Sequence, residues 1–144
     1  MNQFKMFDQN HYDADDNAKE QVIAWLVTCG YEARVNPDQY GIDVLADGKG
    51  RQLAFEVEVK HNWKGERFPF PTLHYSARKR KFLDNEREVR FITLNNDRTH
   101  ALIATNTQLA KARTVAKNTI YTQNELFIEV WVSQCTLIDF GITT

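Results

Sequence analysis

Cysteine is scarce in this chain: two in 144 residues, Cys29 and Cys135, with no CxxC or Cys/His spacing around either. That argues against a disulfide framework and a zinc site, and it fits a reducing cytoplasmic setting. No apolar run approaches the roughly 18 residues that a membrane span needs. Residues 1–16 are polar and acidic, lacking the basic start and apolar stretch of a secretory signal. Neither sign of charge dominates, with 18 Lys and Arg against 19 Asp and Glu for a net charge of −1. Such a balance does not suit a general nucleic-acid-coating protein. No GxxxxGK[ST] or GxGxxG is present, so nucleotide-cradling loops are absent. Ser76 and His74 have no acid partner or oxyanion loop for a hydrolase triad. The four histidines, His11, His61, His74 and His100, show no metal-ligand spacing.

What is present is the make-up of one ordinary globular domain spanning residues 1–144, with 42% hydrophobic and 26% charged residues. A chain of this length buries roughly 68% of its unfolded surface and needs no staple. Ala18, Val22, Leu26 and Cys29 recur at helical spacing after Asp15 and Asp16, and Gly30 stands where a helix ends. Tyr31 to Val35, Gly41 to Ala46 and Gln52 to Lys60 read as three strands, the last two joined by the turn Asp47-Gly48-Lys49-Gly50. Phe68-Pro69-Phe70-Pro71 reads as an extended connection, and a short helix is expected from a Ser76 cap to about Asn85. Val89 to Leu94 and Ala101 to Thr105 are two further strands. Thr107 to Lys117 is Ala/Lys-rich and reads as a helix, followed by strands over Leu126 to Val132 and Cys135 to Phe140. Trp25 and Trp131 read as core. Consecutive strands flanked by helices indicate a mixed α/β sheet.

Charge is distributed unevenly along this order. Residues 1–60 hold 6 basic and 11 acidic residues, whereas residues 61–90 hold 8 basic and 4 acidic. An acidic part that collects cations beside a basic part that grips a polyanion gives this pattern, and so do two solvated faces.

The chemistry concentrates in Asp43-Val-Leu-Ala, the glycine turn, and Phe55-Glu56-Val57-Glu58-Val59-Lys60. Side chains alternate along a strand, so Phe55, Val57 and Val59 share one face while Glu56, Glu58 and Lys60 share the other. Neighbours on one face lie about 6.5–7 Å apart. With the turn centred on Gly48-Lys49, Asp43 falls opposite Ala54, next to Glu56. Three carboxylates and one ammonium then meet on adjacent strands. Metal-assisted attack on a phosphodiester wants this set, because Mg²⁺ takes one or two carboxylates, waters and a substrate phosphate. An amine beside it orients the nucleophile or offsets developing charge. A polar-out, apolar-in strand also yields Glu-x-Lys on any solvated sheet face. Two like charges on one face, however, repel unless a cation lies between them.

Asp43 followed 15 residues later by Glu58-Val59-Lys60 resembles the signature of the PD-(D/E)XK nuclease superfamily. The expected helix, β-meander, helix and strand are similar to its restriction-endonuclease-like αβββαβ core, over about residues 15–105, with 106–144 as a C-terminal extension. "Tyr-Gly-Ile-Asp-Val" and "Phe-Glu-Val-Glu-Val-Lys" look most like the Holliday-junction-resolvase-like and phage-type branches. The resemblance implies Asp43 and Glu58 as ligands of Mg²⁺ or Mn²⁺, the Val59 carbonyl as a further ligand, and Lys60 as the catalytic lysine. It implies cleavage of DNA to 5′-phosphate ends. Glu20 matches a first-helix Glu that approaches the metals in several branches, and an exposed helix Glu is the ordinary alternative. The literal Pro37-Asp38 departs from the pattern, since Asp38 sits where a turn-former belongs. Glu56 is not the signature Glu, and it is a candidate carboxylate for the metal surroundings.

The segment after Lys60 reads as a substrate grip. Trp63, Lys64 and Arg67 follow the catalytic strand, and Arg78, Lys79, Arg80 and Lys81 cluster after His74-Tyr75-Ser76, with Arg78 and Lys79 expected to point inward. Arg and Lys beside aromatics suit phosphate contacts and base stacking, whereas a solvated basic helix is the alternative. The sequence therefore predicts a metal-dependent DNA nuclease. A catalytically silent nucleic-acid-binding module on the same scaffold is the alternative, and a protein-interaction domain is a third reading. The late strands from Leu126 to Phe140 offer an interface for a second copy.

Overall fold

Helix α1 (Gln9–Thr28) buries Ala18, Val22 and Leu26, the stripe set by their four-residue spacing, against the face of a six-stranded sheet. The computed structural model describes residues 9–141; the expectation for the first eight residues lies outside that range. Asp15 and Asp16 fall within α1 rather than ahead of it. Gly30, at φ 97°, ends the turn after the helix, where a side chain would be strained.

The sheet follows from alternation. β1 (Glu32–Val35), β2 (Val44–Gly48) and β3 (Arg51–Lys60) form an antiparallel meander. β5 (Glu88–Asn95) lies parallel to β3, and β6 (His100–Thr105) and β9 (Thr136–Asp139) continue it antiparallel, giving the order β1-β2-β3-β5-β6-β9. Val44, Ala46, Leu53, Phe55, Val57 and Val59 face α1.

A parallel step from β3 to β5 needs a crossover, which is usually a helix. Here the crossover is β4 (Thr72–Ser76) followed by a seven-residue 3₁₀ helix, Ala77–Leu83. The short helix expected from a Ser76 cap to about Asn85 is this 3₁₀ helix; Ser76 stands at its N-cap position as the last residue of β4 and makes no side-chain cap bond. β4 pairs with β8 (Glu125–Trp131), which pairs with β7 (Thr114–Lys117), in a second, three-stranded sheet. The expected helix over Thr107–Lys117 divides into α2 (Asn106–Lys111), held by a Thr105/Gln108 capping box, and strand β7.

The second sheet and α2 cover the face of the first sheet opposite α1, through Leu73, Tyr75, Leu109, Ile128 and Val130. The result is a helix, a mixed sheet and a smaller sheet in three layers, with the site-bearing ends of β2 and β3 between the last two. Among the described residues no helix is long and apolar enough to cross a membrane. Cys29 and Cys135 are free thiols.

Candidate active site

The hairpin turn decides which residues meet. Lys49 (φ 53°) and Gly50 (φ 73°) both adopt the left-handed conformation of a two-residue type I′ turn, closing on the Gly48↔Arg51 pair. The turn thus lies one residue later than the Gly48-Lys49 centre expected from sequence. Val44 pairs with Phe55, and continuing that register by one places Asp43 across from Glu56 instead of Ala54. The shift is two positions in pairing, so the faces are unchanged. Asp43 joins Glu56, Glu58 and Lys60 on the face away from α1.

Asp43 is fixed at both oxygens. Oδ2 accepts the Val57 backbone N–H at 2.8 Å, taking the place of a carbonyl just beyond the end of β2, and Oδ1 lies 3.4 Å from Lys19 Nζ. Glu58 Oε1 pairs with Lys60 Nζ at 2.8 Å. The Lys60 ammonium also reaches the His74 carbonyl of β4 at 3.5 Å. In the parallel register Thr93 stands beside Glu58, and its hydroxyl meets the buried Tyr75 hydroxyl at 2.6 Å. That bond ties β4 to the floor of the site.

The cation required between Glu56 and Glu58 is Lys79. Its Nζ lies 3.1 Å from Glu56 Oε2 and 3.5 Å from Glu58 Oε2. Burial opposes the charge on Lys79, but the Glu58 and Glu56 carboxylates outweigh it and hold its pKa above the ordinary lysine value. Burial pushes Glu56 up to about 7; Lys79 opposes that rise and the neighbouring Asp43 charge adds to it. Glu56 Oε1 is buried, and no hydrogen bond from the described residues reaches it.

These residues fit a hard divalent cation by the chemistry of their donors. They offer carboxylate oxygens on adjacent strands, one of them buried and without a hydrogen bond from any described residue. Among the described residues no three His, Cys, Asp or Glu side chains form a group able to hold a metal by themselves. Waters and a substrate phosphate would accordingly have to complete the shell, as Mg²⁺ allows.

Other sequence-predicted residues are placed differently. Glu20 is exposed, and among the described side chains of α1 its neighbour Lys19 meets the site. Val59 packs its side chain among the α1-facing core. Asp38 is a turn-former, accepting the Tyr40 N–H at 3.0 Å. Trp63 is fully buried, edge-on to Phe68 at 5.4 Å between ring centres, so it cannot stack on a base. The chain turns sharply after β3 (Trp63 N–H to Lys60 O, 3.1 Å), and the Asn96 N–H to Trp63 O bond at 2.7 Å draws the indole inward. Trp131, expected in the core, is 52% exposed.

The basic residues divide by role. Lys64 and Arg67 are exposed in the loop after β3, and Arg78 is exposed at the start of the 3₁₀ helix. Lys79 neutralises the acidic cluster instead of standing free for a phosphate. Arg80 turns inward and donates to the Leu109 and Ala112 carbonyls at the end of α2, at 3.1 and 2.8 Å. Sequence reasoning missed Lys19 and the internal role of Lys79; the unsatisfied Glu56/Glu58 pair was the signal that some cation must come.

No protein-family model matches the sequence, and no curated protein matches it. Among solved structures the fold is similar to Hjc, a Holliday junction resolvase from the archaeal hyperthermophile Archaeoglobus fulgidus. The TM-score is 0.53 at 14% identity, over 88% of this chain and 84% of that one. A bacterial homing endonuclease, I-Ssp6803I, aligns with a TM-score of 0.47 at 14% identity, over 81% of this chain and 72% of that one. The likeness to the resolvase shows that this chain has the restriction-endonuclease-like fold expected from its sequence.

Proposed function

We propose that this chain is a PD-(D/E)XK nuclease that hydrolyses phosphodiester bonds in DNA with the help of Mg²⁺ or Mn²⁺. The observation that carries the reading is the placement of Asp43, Glu56, Glu58 and Lys60 on one sheet face at the ends of β2 and β3, within a restriction-endonuclease-like fold. Fold alone hosts many activities, so the weight rests on these side chains.

Asp43 and Glu58 would hold the ion, with the Val59 carbonyl and Glu56 as further oxygens. When bound, a divalent ion lowers the pKa of a water and steadies charge growing on the phosphate. The chain's own residues do the rest. The Val57 N–H and Lys19 hold the Asp43 carboxylate in one orientation, so no reorganisation is needed as substrate arrives. Lys60, held between Glu58 and the His74 carbonyl, carries a fixed positive charge beside the scissile group, where it orients the attacking water and offsets the developing anion. Lys79 bridges Glu56 and Glu58, and a metal held there would share their oxygens with it. Lys64, Arg67 and Arg78 supply exposed charge for the phosphate backbone.

The test is incubation with plasmid, linear and branched DNA in Mg²⁺, in Mn²⁺ and in chelator. Cleavage that requires metal and vanishes in Lys60→Ala, with the fold intact, is the expected result. Salt-sensitive DNA binding without cleavage under any condition would instead assign the silent binding module.

A further inference from the structure

Beside Lys60 the second sheet leaves a cleft of about 310 Å³, lined by Lys60, Asn62, Phe68, Phe70, His74 and Lys117 among others. Its lining differs from that of the carboxylate cluster: a lysine from each sheet, Lys60 and Lys117, shares the cleft with the rings of Phe68 and Phe70. Phe70 is 54% exposed, and the two rings stand nearly edge to face at 5.9 Å, an arrangement that does not cover Phe70 with its neighbour's face.

Lys117 is held in place by a chain of contacts. Its Nζ lies 2.7 Å from His74 Nδ1, and an ammonium can only donate, so Nδ1 is the acceptor. His74 Nε2 therefore donates to Glu129 at 3.0 Å. Glu129 is also bound by Arg113 Nε at 2.7 Å, and these His74 and Arg113 hydrogen bonds hold its carboxyl below the usual range. Lys117 further lies 4.9 Å from the centre of the Phe127 ring. Four residues thus fix one surface lysine at the rim of a cleft that Lys60 enters from the other side. A lysine serving only solubility needs no such support.

We propose that this cleft is a nucleotide subsite that takes one unstacked nucleotide of a DNA strand, with a phosphate between Lys60 and Lys117 and the base against Phe70. The subsite rests on the nuclease reading for the strand's arrival at Lys60. A base lying on Phe70 cannot remain stacked in a continuous duplex, so the subsite selects single-stranded, frayed or branched DNA. His74 and Glu129 are positioning residues for Lys117.

The experiment uses the full chain in chelator, with a short single-stranded oligonucleotide carrying 2-aminopurine, followed by anisotropy for affinity and by 2-aminopurine emission for stacking. Wild type is expected to bind it more tightly than the matched duplex, with a change in emission. Phe70→Ala removes the emission change and weakens binding about tenfold. Lys117→Met lowers the salt dependence of log K by about one unit of slope, which a merely structural role would not do. His74→Ala reproduces the Lys117→Met slope, through loss of the support. Phe70 and Lys117 are surface side chains, and melting curves confirm that the variants fold. Equal binding by wild type, Phe70→Ala and Lys117→Met, or equal affinity for duplex, overturns the subsite. If wild type still cleaves DNA in that case, the nuclease reading stands without it. Binding and stacking as described, with no cleavage in any metal, would keep the subsite and remove the nuclease.

Discussion

The Lys79 ammonium lies 3.1 Å from the buried carboxylate of Glu56, and the same nitrogen is 3.5 Å from Glu58. A single side chain from the crossover segment thereby bridges two acidic residues that β3 places on one face, while Lys60 pairs with Glu58 as well. A divalent ion held by Glu56 and Glu58, as proposed, would have to compete with Lys79 for their oxygens.

Removing that ammonium should expose the competition. Lys79→Met is expected to lose about 3 kcal/mol of stability at neutral pH, because a mostly buried carboxylate is left unpaired. Mn²⁺ should raise the melting temperature of the variant more than that of wild type. Thermal melts of both proteins with and without Mn²⁺ check this; an equal shift in the two would show that Lys79 and the metal do not share oxygens.

Glu56 makes stability depend on pH in a defined direction. Its carboxyl titrates at about 7 in the folded chain against 4.5 for an unperturbed group. Between those values the folded state keeps a proton that the unfolded chain has lost, so stability falls as pH rises through this window. The total is about 3 kcal/mol. Glu56→Gln should flatten that slope, as read by urea unfolding at successive pH values.

Arg78 and Arg80 sit two residues apart and should behave as opposites. Arg80→Ala leaves the Leu109 and Ala112 carbonyls without their donor and should cost about 1–3 kcal/mol, with DNA affinity unchanged. Arg78→Ala should leave stability within about 0.5 kcal/mol and weaken DNA binding. Urea unfolding and anisotropy on the same samples separate the two.

Trp63 belongs to the core rather than the DNA surface. Trp63→Ala should cost about 3–5 kcal/mol. Trp63→Phe should cost less, since no described residue accepts a hydrogen bond from the buried indole N–H, and should keep wild-type DNA affinity. A Phe variant that folds yet loses DNA binding would contradict the burial of this side chain.

The meander and its acidic face were legible in the sequence because they depend on local signals. Alternation along Phe55 to Lys60 and the glycine turn set the faces, and a two-position error in register left them unchanged. Of the second sheet only β8 was legible, as the strand over Leu126 to Val132. Thr72–Ser76 carries period-two burial at Leu73 and Tyr75, but the Phe-Pro-Phe-Pro run and the basic segment on either side concealed it. Thr114–Lys117 continues an Ala/Lys-rich helical composition, and only pairing with β8 makes it a strand. Trp63 sits among polar neighbours, and its burial arises from contact with the distant turn at Asn96. Lys79 reaches the acidic cluster from the 3₁₀ helix of the crossover, a tertiary contact that periodicity does not encode.

The central claim is that Asp43 and Glu58 together hold a divalent cation beside Lys60. Anomalous diffraction at the manganese edge, from crystals soaked in Mn²⁺, tests it most directly. The account predicts a peak within coordination distance of both carboxylates, with Lys79 withdrawn from Glu58. Full soaking with no peak there, and Lys79 still bridging Glu56 and Glu58, would contradict it.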